Sequence, residues 1–350
     1  VRPPRPAPAA SRRRVVAARA ALIAAVAAPI ALEAGTAAAF QWPGAWRGRV
    51  PAGLEATLLR YHEGFLMGPP LQFRRECSEP DAVLLYRLRP GACRFDSDEF
   101  DTAVRVSARH LREDRETVAP DFVALGDSVA LGWGVEREQA FPALLAAQAG
   151  GRETVVAHSS YGTVRELLLL RRLALRDFGA VVVQYSANDL RENRAFLASG
   201  RHQPASRAEW ERAVALVERI QGKRFMRHAR HWFALAWSDL LVPRSREPEA
   251  PGEEHARDLL RVLSAFAPDL RGRPLVVFGE GLGVEERRFV RALQEAAVPP
   301  GLGPLRATVV ADRLAPSDRF TLDPHWRASG HGVAAAALAA PLRDALASAP

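Results

Sequence analysis

Five short, valine-rich apolar runs recur at 121–126, 153–157, 179–185, 273–278 and 307–311, and stretches with helical spacing lie between them, at 138–148, 164–177, 284–297 and 330–347. Each run is apolar at successive positions, the pattern of a parallel strand buried on both faces. Alternation of this kind predicts an α/β fold, with a parallel sheet covered by helices on both sides. In such folds the chemistry gathers in the loops that leave the carboxyl ends of the strands.

Those loops carry three informative blocks. Gly126-Asp127-Ser128 ends the first run; Ser186-Ala187-Asn188-Asp189 follows Val181-Val182-Val183; and Asp323-Pro324-His325-Trp326 stands just before the last helix. A serine hydroxyl is a poor nucleophile at neutral pH and needs a base to take its proton and an acid to orient that base. Ser128 is the candidate nucleophile, His325 the candidate base and Asp323 the acid, close enough in sequence to reach Nδ1 of the ring across a loop stiffened by Pro324. His331, in Gly330-His331-Gly332, competes for the base, but its place at the start of an alanine-rich helix predicts capping or packing. Read singly, the blocks are blander: Gly-Asp-Ser is a turn and Ser-Ala-Asn-Asp a helix start.

Serine, then Asn-Asp, then Asp-x-His, each after a strand-like run and in this order, resembles the GDSL or SGNH hydrolases over roughly residues 120–345. The resemblance implies a flavodoxin-like three-layer α/β/α sandwich with five parallel strands, and a serine esterase that needs no metal or organic cofactor. It implies an oxyanion hole made by the N–H of Ser128, the N–H of Ser160 and the side chain of Asn188, with Asp127 and Asp189 in support. Two departures stand out. The acid lies two residues before the histidine rather than the commoner three, which looks like a variant in some exported SGNH enzymes and alginate O-acetyltransferase-like proteins. Ser160 stands where the family has glycine, a change that costs little at negative φ and more at positive φ. The implied substrate is an O-acyl or O-acetyl group on an envelope glycan, or a lipid ester. Acyl transfer to a sugar would use the same residues, and a glycan-binding protein without catalysis could use the same fold.

The net charge of +8 raises the possibility of a nucleic-acid partner, but its placement argues against one: six arginines fall in the first nineteen residues with no acid among them, leaving +2 for the rest. No zinc spacing, Walker loop or basic-aromatic stripe is present. Gly279-Glu280-Gly281-Leu282-Gly283 lacks dinucleotide spacing and reads as a flexible turn. Residues 1–14 read as disordered. The basic region, the apolar run Ala20–Leu32 and the small residues Ala37-Ala38-Ala39 read as an export signal, cleaved or kept as a single anchor, and Trp42 and Trp46 would suit an interfacial belt. Two readings stay beside it: an alanine-rich helix of a soluble domain, and a loose twin-arginine signal at Ser11–Val16. An export signal predicts a periplasmic or cell-envelope location.

Two cysteines, Cys77 and Cys93, in an exported chain predict one disulfide; two unpaired buried thiols are the alternative. The expected organisation is a tail and signal or anchor at 1–39, a preface at 40–118 and a hydrolase-like domain at 119–350. In the preface Leu84–Leu88 and Ala103–Val106 read as strands, with Arg89-Pro90-Gly91 as a turn between them. Helices at Ala205–Ile220, Phe225–Leu241 and Glu253–Phe266 form an insertion at about 190–270, either packed on the sheet edge or forming a lid or membrane-facing surface.

Overall fold

A computed structural model describes residues 9–112, 119–203, 206–222, 225–241 and 250–349, and forms two compact units. One comprises Val1–Leu66 with Gly222–Arg246, and the other Met67–Gln221 with Glu247–Pro350. These boundaries differ from the expected ones at 39 and 118. Most of the preface belongs to the larger unit, and one helix of the expected insertion belongs to the smaller.

In the smaller unit, α1 (Ala9–Gln41) is followed by α2 (Ala52–Phe65), and the third helix, α8 in chain order, is Arg227–Leu241. Residues 9–14 are helical rather than disordered, because alanine and arginine are good helix formers; residues 1–8 lie outside the described residues. Within α1, Arg13–Gln41 is long and apolar enough to cross a membrane by length and composition, compatible with a signal or an anchor. Trp232 Nε1 donates to Thr36 Oγ1 at 2.9 Å, and its ring stacks on Tyr61 with centroids 4.3 Å apart. Trp42 is exposed, whereas Trp46 is buried, with its Nε1–H on the Ala39 carbonyl at 2.8 Å.

The larger unit begins with two antiparallel hairpins. One pairs β1 (Ser78–Asp81) with β2 (Leu85–Leu88), the other β3 (Gly91–Asp96) with β4 (Asp101–Val106). The two expected preface strands therefore have separate partners. Arg89 and Pro90 link the hairpins, whereas Gly91 is already in β3, at φ +122°. A Cys77–Cys93 disulfide joins the hairpins, with Cα atoms 5.4 Å apart.

Five parallel strands follow: β5 (Phe122–Gly126), β6 (Glu153–Ala157), β7 (Ala180–Ser186), β8 (Leu275–Glu280) and β9 (Leu305–Thr308), in the order β6-β5-β7-β8-β9. This is the flavodoxin-like order, with its switch point between the first and third strands of the sheet, here β5 and β7. Alternate residues face opposite cores. Val123, Leu125, Val181 and Val183 pack with Leu167 and Leu170 of α5 (Thr163–Leu173), Leu259 and Leu263 of α9 (Gly252–Ala265), and Phe289 of α11 (Glu286–Glu295). Phe122, Ala124, Val182 and Phe278 pack with Phe141 and Leu145 of α4 (Phe141–Ala149), and with Leu338 and Leu342 of α12 (Ala328–Ala347). The result is a three-layer α/β/α sandwich. Each fully buried Val, Leu or Phe among them contributes about 1.5–3 kcal/mol by transfer from water.

Three details depart from expectation. Helix α9 is not part of an insertion: its apolar face covers the sheet. A helix outside the expected three, α6 (Asp189–Ser199), follows β7, while α7 (Arg207–Gln221) buries Trp210 and Val214 in the same core, in keeping with a helix packed on the sheet. Gly279 and Glu280 are the last residues of β8 rather than part of a flexible turn, because pairing with β7 continues to Ser186↔Glu280; only Gly281 and Gly283 take positive φ.

Candidate active site

The β5 strand ends at Gly126, where a side chain cannot fit: a Cβ there would lie 2.5 Å from Gln184 Oε1 and 2.6 Å from the Ala130 methyl. Asp127 caps a single helical turn, α3 (Ser128–Leu131), which Ser128 opens, so Ser128 sits at a helix start rather than in a loop. The turn is pinned from the neighbouring strand. Gln184 of β7, fully buried, accepts the N–H groups of Asp127 and Ala130 at 3.1 Å each, and donates to Ser186 Oγ at 2.7 Å. Sequence reasoning missed Gln184, although a lone amide in Val181-Val182-Val183-Gln184 is a usable signal, because a buried amide demands partners.

The His325 ring spans Ser128 and Asp323. Its Nε2 lies 2.8 Å from Ser128 Oγ, and its Nδ1 lies 2.5 Å from Asp323 Oδ1. The backbone N–H of His325 donates to the same carboxylate oxygen at 2.9 Å, and Trp133 Nε1 donates to the other, also at 2.9 Å. A carboxylate on Nδ1 fixes the proton there and leaves Nε2 free to accept the serine proton. Burial opposes ionisation of Asp323, but the charge and hydrogen bonds of His325, with the Trp133 indole, outweigh it and hold the carboxyl below its usual range. Trp133 is a second residue that sequence reasoning missed as a contributor, although it lies only five residues after Ser128.

The loop carrying Asp323 and His325 closes on itself. Arg319 and Trp326 form an antiparallel bridge, and the Phe320 N–H donates to the His325 carbonyl at 3.1 Å. Arg319 donates to the Pro324 carbonyl at 2.7 Å and to Glu280 at 2.9 Å. Burial raises the Glu280 carboxyl, and Arg319 offsets part of that rise.

The expected oxyanion donors follow three adjacent strands: Ser128 after β5, Ser160 after β6 and Asn188 after β7. Ser160 takes φ +59°, so this non-glycine residue occupies the left-handed region. Its Oγ accepts from Gln72 Nε2 at 3.1 Å, and its carbonyl accepts from Arg165. Asn188 is exposed, just before α6. Asp189 is buried and anchors that corner, accepting from Thr163 Oγ1 at 2.9 Å and from the Ser186 N–H at 3.3 Å. Burial and the charge of Asp127 push its carboxyl well up.

His331 is buried in α12, and its Nδ1 accepts the N–H of Phe141, the first residue of α4, at 3.1 Å. Burial lowers its pKa to about 3, so it is a neutral packing and capping residue. His158, beneath Tyr86 and Tyr161, is likewise lowered by burial to about 3.

No protein-family model matches the chain, and no curated protein matches it. Among solved structures it is similar to an acetyl xylan esterase from the rumen bacterium Butyrivibrio proteoclasticus, with 12% identity and a TM-score of 0.35. That alignment covers 67% of this chain and 66% of the other, so the chain spans just under two thirds of that protein.

Proposed function

We propose that the protein is a serine esterase of the SGNH type that acts outside the cytoplasm, on an O-acyl or O-acetyl group of an envelope glycan or on a lipid ester. One observation carries the reading: Ser128 Oγ, His325 and Asp323 form a continuous hydrogen-bonded chain, at 2.8 and 2.5 Å. Ser128 Oγ attacks the ester carbonyl carbon while His325 Nε2 takes its proton. Asp323 stabilises the imidazolium that forms and does not itself take the proton. The N–H groups of Ser128 and Ser160 and the Asn188 amide hold the tetrahedral oxyanion, where charge develops only as the bond forms. The intermediate collapses, His325 returns the proton to the leaving alkoxide, and an acyl-Ser128 remains. Water then attacks that ester with His325 again as base, releasing the acid and restoring the hydroxyl. The apolar, membrane-length α1 supports the extracytoplasmic part of the reading.

The test is covalent labelling with a fluorophosphonate, beside hydrolysis of p-nitrophenyl acetate and butyrate. The parent protein should label at Ser128 and turn over at least one ester. Ser128→Ala should do neither while melting within a few degrees of the parent, because a small hydroxyl contributes little to packing. Labelling at another residue, or a Ser128→Ala variant with parental turnover, would remove Ser128 as the nucleophile.

A further inference from the structure

We infer that Glu99, outside every motif above, is a positioning residue for the loop that carries Asp323 and His325; this rests on the proposed serine-esterase reading. Glu99 lies in the β3–β4 turn, and its side chain is only 12% exposed. Its two carboxylate oxygens collect three successive backbone N–H groups. Oε1 accepts from Thr321 at 2.5 Å, and Oε2 accepts from Leu322 and Asp323 at 2.8 Å each. Successive N–H groups turn to one side where the backbone curls into an anion-binding concavity, and a carboxylate has the lone pairs to serve all three. Residues 321–323 belong to no helix or strand, so Glu99 supplies what a ladder would otherwise supply.

The same hairpin also packs on the loop and on Trp133 beside it. Phe100 packs on Phe320 at 5.3 Å between centroids, and Phe95 packs edge-on against Trp133 at 4.6 Å. A Cβ on Gly134 would fall 2.7 Å from the Phe100 ring, so the fit is close. The last bond of the Glu99 set holds the backbone of Asp323 itself, two residues from the base. Glu99 therefore fixes where the Asp323 carboxylate starts from, and through it the tilt of the His325 ring. Displacements of about 1 Å originating far from the reacting atoms can cost about 100-fold in rate.

The experiment compares the full-length parent with Glu99→Ala and Glu99→Gln. It measures kcat and KM on p-nitrophenyl acetate, the melting temperature, and the far-downfield proton resonance of His325 Nδ1–H, assigned by its loss in His325→Ala. Glu99→Ala should lower kcat about 10- to 100-fold with KM changed little, and should lose or broaden the resonance. Glu99→Gln keeps one carbonyl oxygen and should recover part of both. Parental kcat with the resonance intact overturns the inference, as does a kcat loss that follows the melting temperature while the resonance persists. Should Glu99→Ala not fold, Glu99→Gln decides by the same readouts. Should the parent hydrolyse no ester, the resonance still decides the role of Glu99, and only the esterase reading falls.

Discussion

Trp133 lies flat on the ring of His325, with centroids 4.5 Å apart and planes 13° from parallel. The same indole gives its N–H to Asp323, so one side chain restrains both the ring and the carboxylate that orients it. Trp133→Phe keeps an aromatic face and removes the donor. A hydrogen bond to a charged group is worth about 1.5–3 kcal/mol, so kcat should fall by about tenfold or more with the fold retained. Steady-state kinetics beside circular dichroism would check it, and unchanged kcat would assign Trp133 to packing alone.

The two histidines of the C-terminal region should separate cleanly. His325→Ala should abolish ester hydrolysis, whereas His331→Asn, whose amide oxygen can still accept the Phe141 N–H, should remain active. If the His331 variant is the dead one, the base has been misassigned.

Acid should destabilise the fold through the buried histidines. His158 and His331 are depressed by burial from 6.5 to about 3, so the unfolded chain takes up protons that the fold refuses. Their contribution is complete above about pH 6.5 and is lost as pH falls from there toward 3, at up to about 1.4 kcal/mol per pH unit for each histidine. Urea unfolding at several pH values should show this slope, and His331→Asn should flatten it; an unaltered slope would mean His331 already protonates in the folded protein.

Ser160 offers a backbone test. A left-handed φ costs a non-glycine residue about 1–2 kcal/mol, while the Gln72 bond to its hydroxyl returns about 0.5–1.5 kcal/mol. Ser160→Gly should therefore stay within about 1 kcal/mol of the parent and keep its activity. Ser160→Val, branched at Cβ, should lose about 2 kcal/mol or more, and activity with it. A valine variant as stable as the parent would place this backbone in an ordinary conformation.

The Cys77–Cys93 link, with a sequence separation of 16, should contribute about 3 kcal/mol in the chain-entropy picture. Replacing both with serine should lower the midpoint of unfolding accordingly. Alkylation before and after reduction should find two thiols only after reduction; free thiols beforehand would contradict the link.

The central strands β5, β7 and β8 were readable because both faces are buried, which leaves a mostly apolar signature along their length; β6 and β9 are only partly buried, and the expected run 307–311 overlaps β9 (Leu305–Thr308) at two residues alone. The hairpin strand Ser78–Asp81 was not readable, since its Ser-Glu-Pro-Asp sequence holds a proline and two acids and pairs on one side only. Ser128, Asp323 and His325 stood out because each follows a strand or loop signal and carries reactive chemistry. Gln184, Trp133 and Glu99 did not, because their work is to hold backbone and ring atoms that lie far away in sequence: Glu99 meets residues more than 220 positions on. Single-sequence patterns carry no information about such distances.

The separation of 197 residues between Ser128 and His325 also sets a clock. At about 5–20 residues per second, a ribosome takes some 10–40 seconds to pass from one to the other. During that time the Ser128 hydroxyl lacks its His325 partner, and on the proposed reading the emerging chain has no hydrolytic power. On that reading, a chain cut short anywhere in that interval would yield an inert fragment, and only molecules made past His325 could act on an ester.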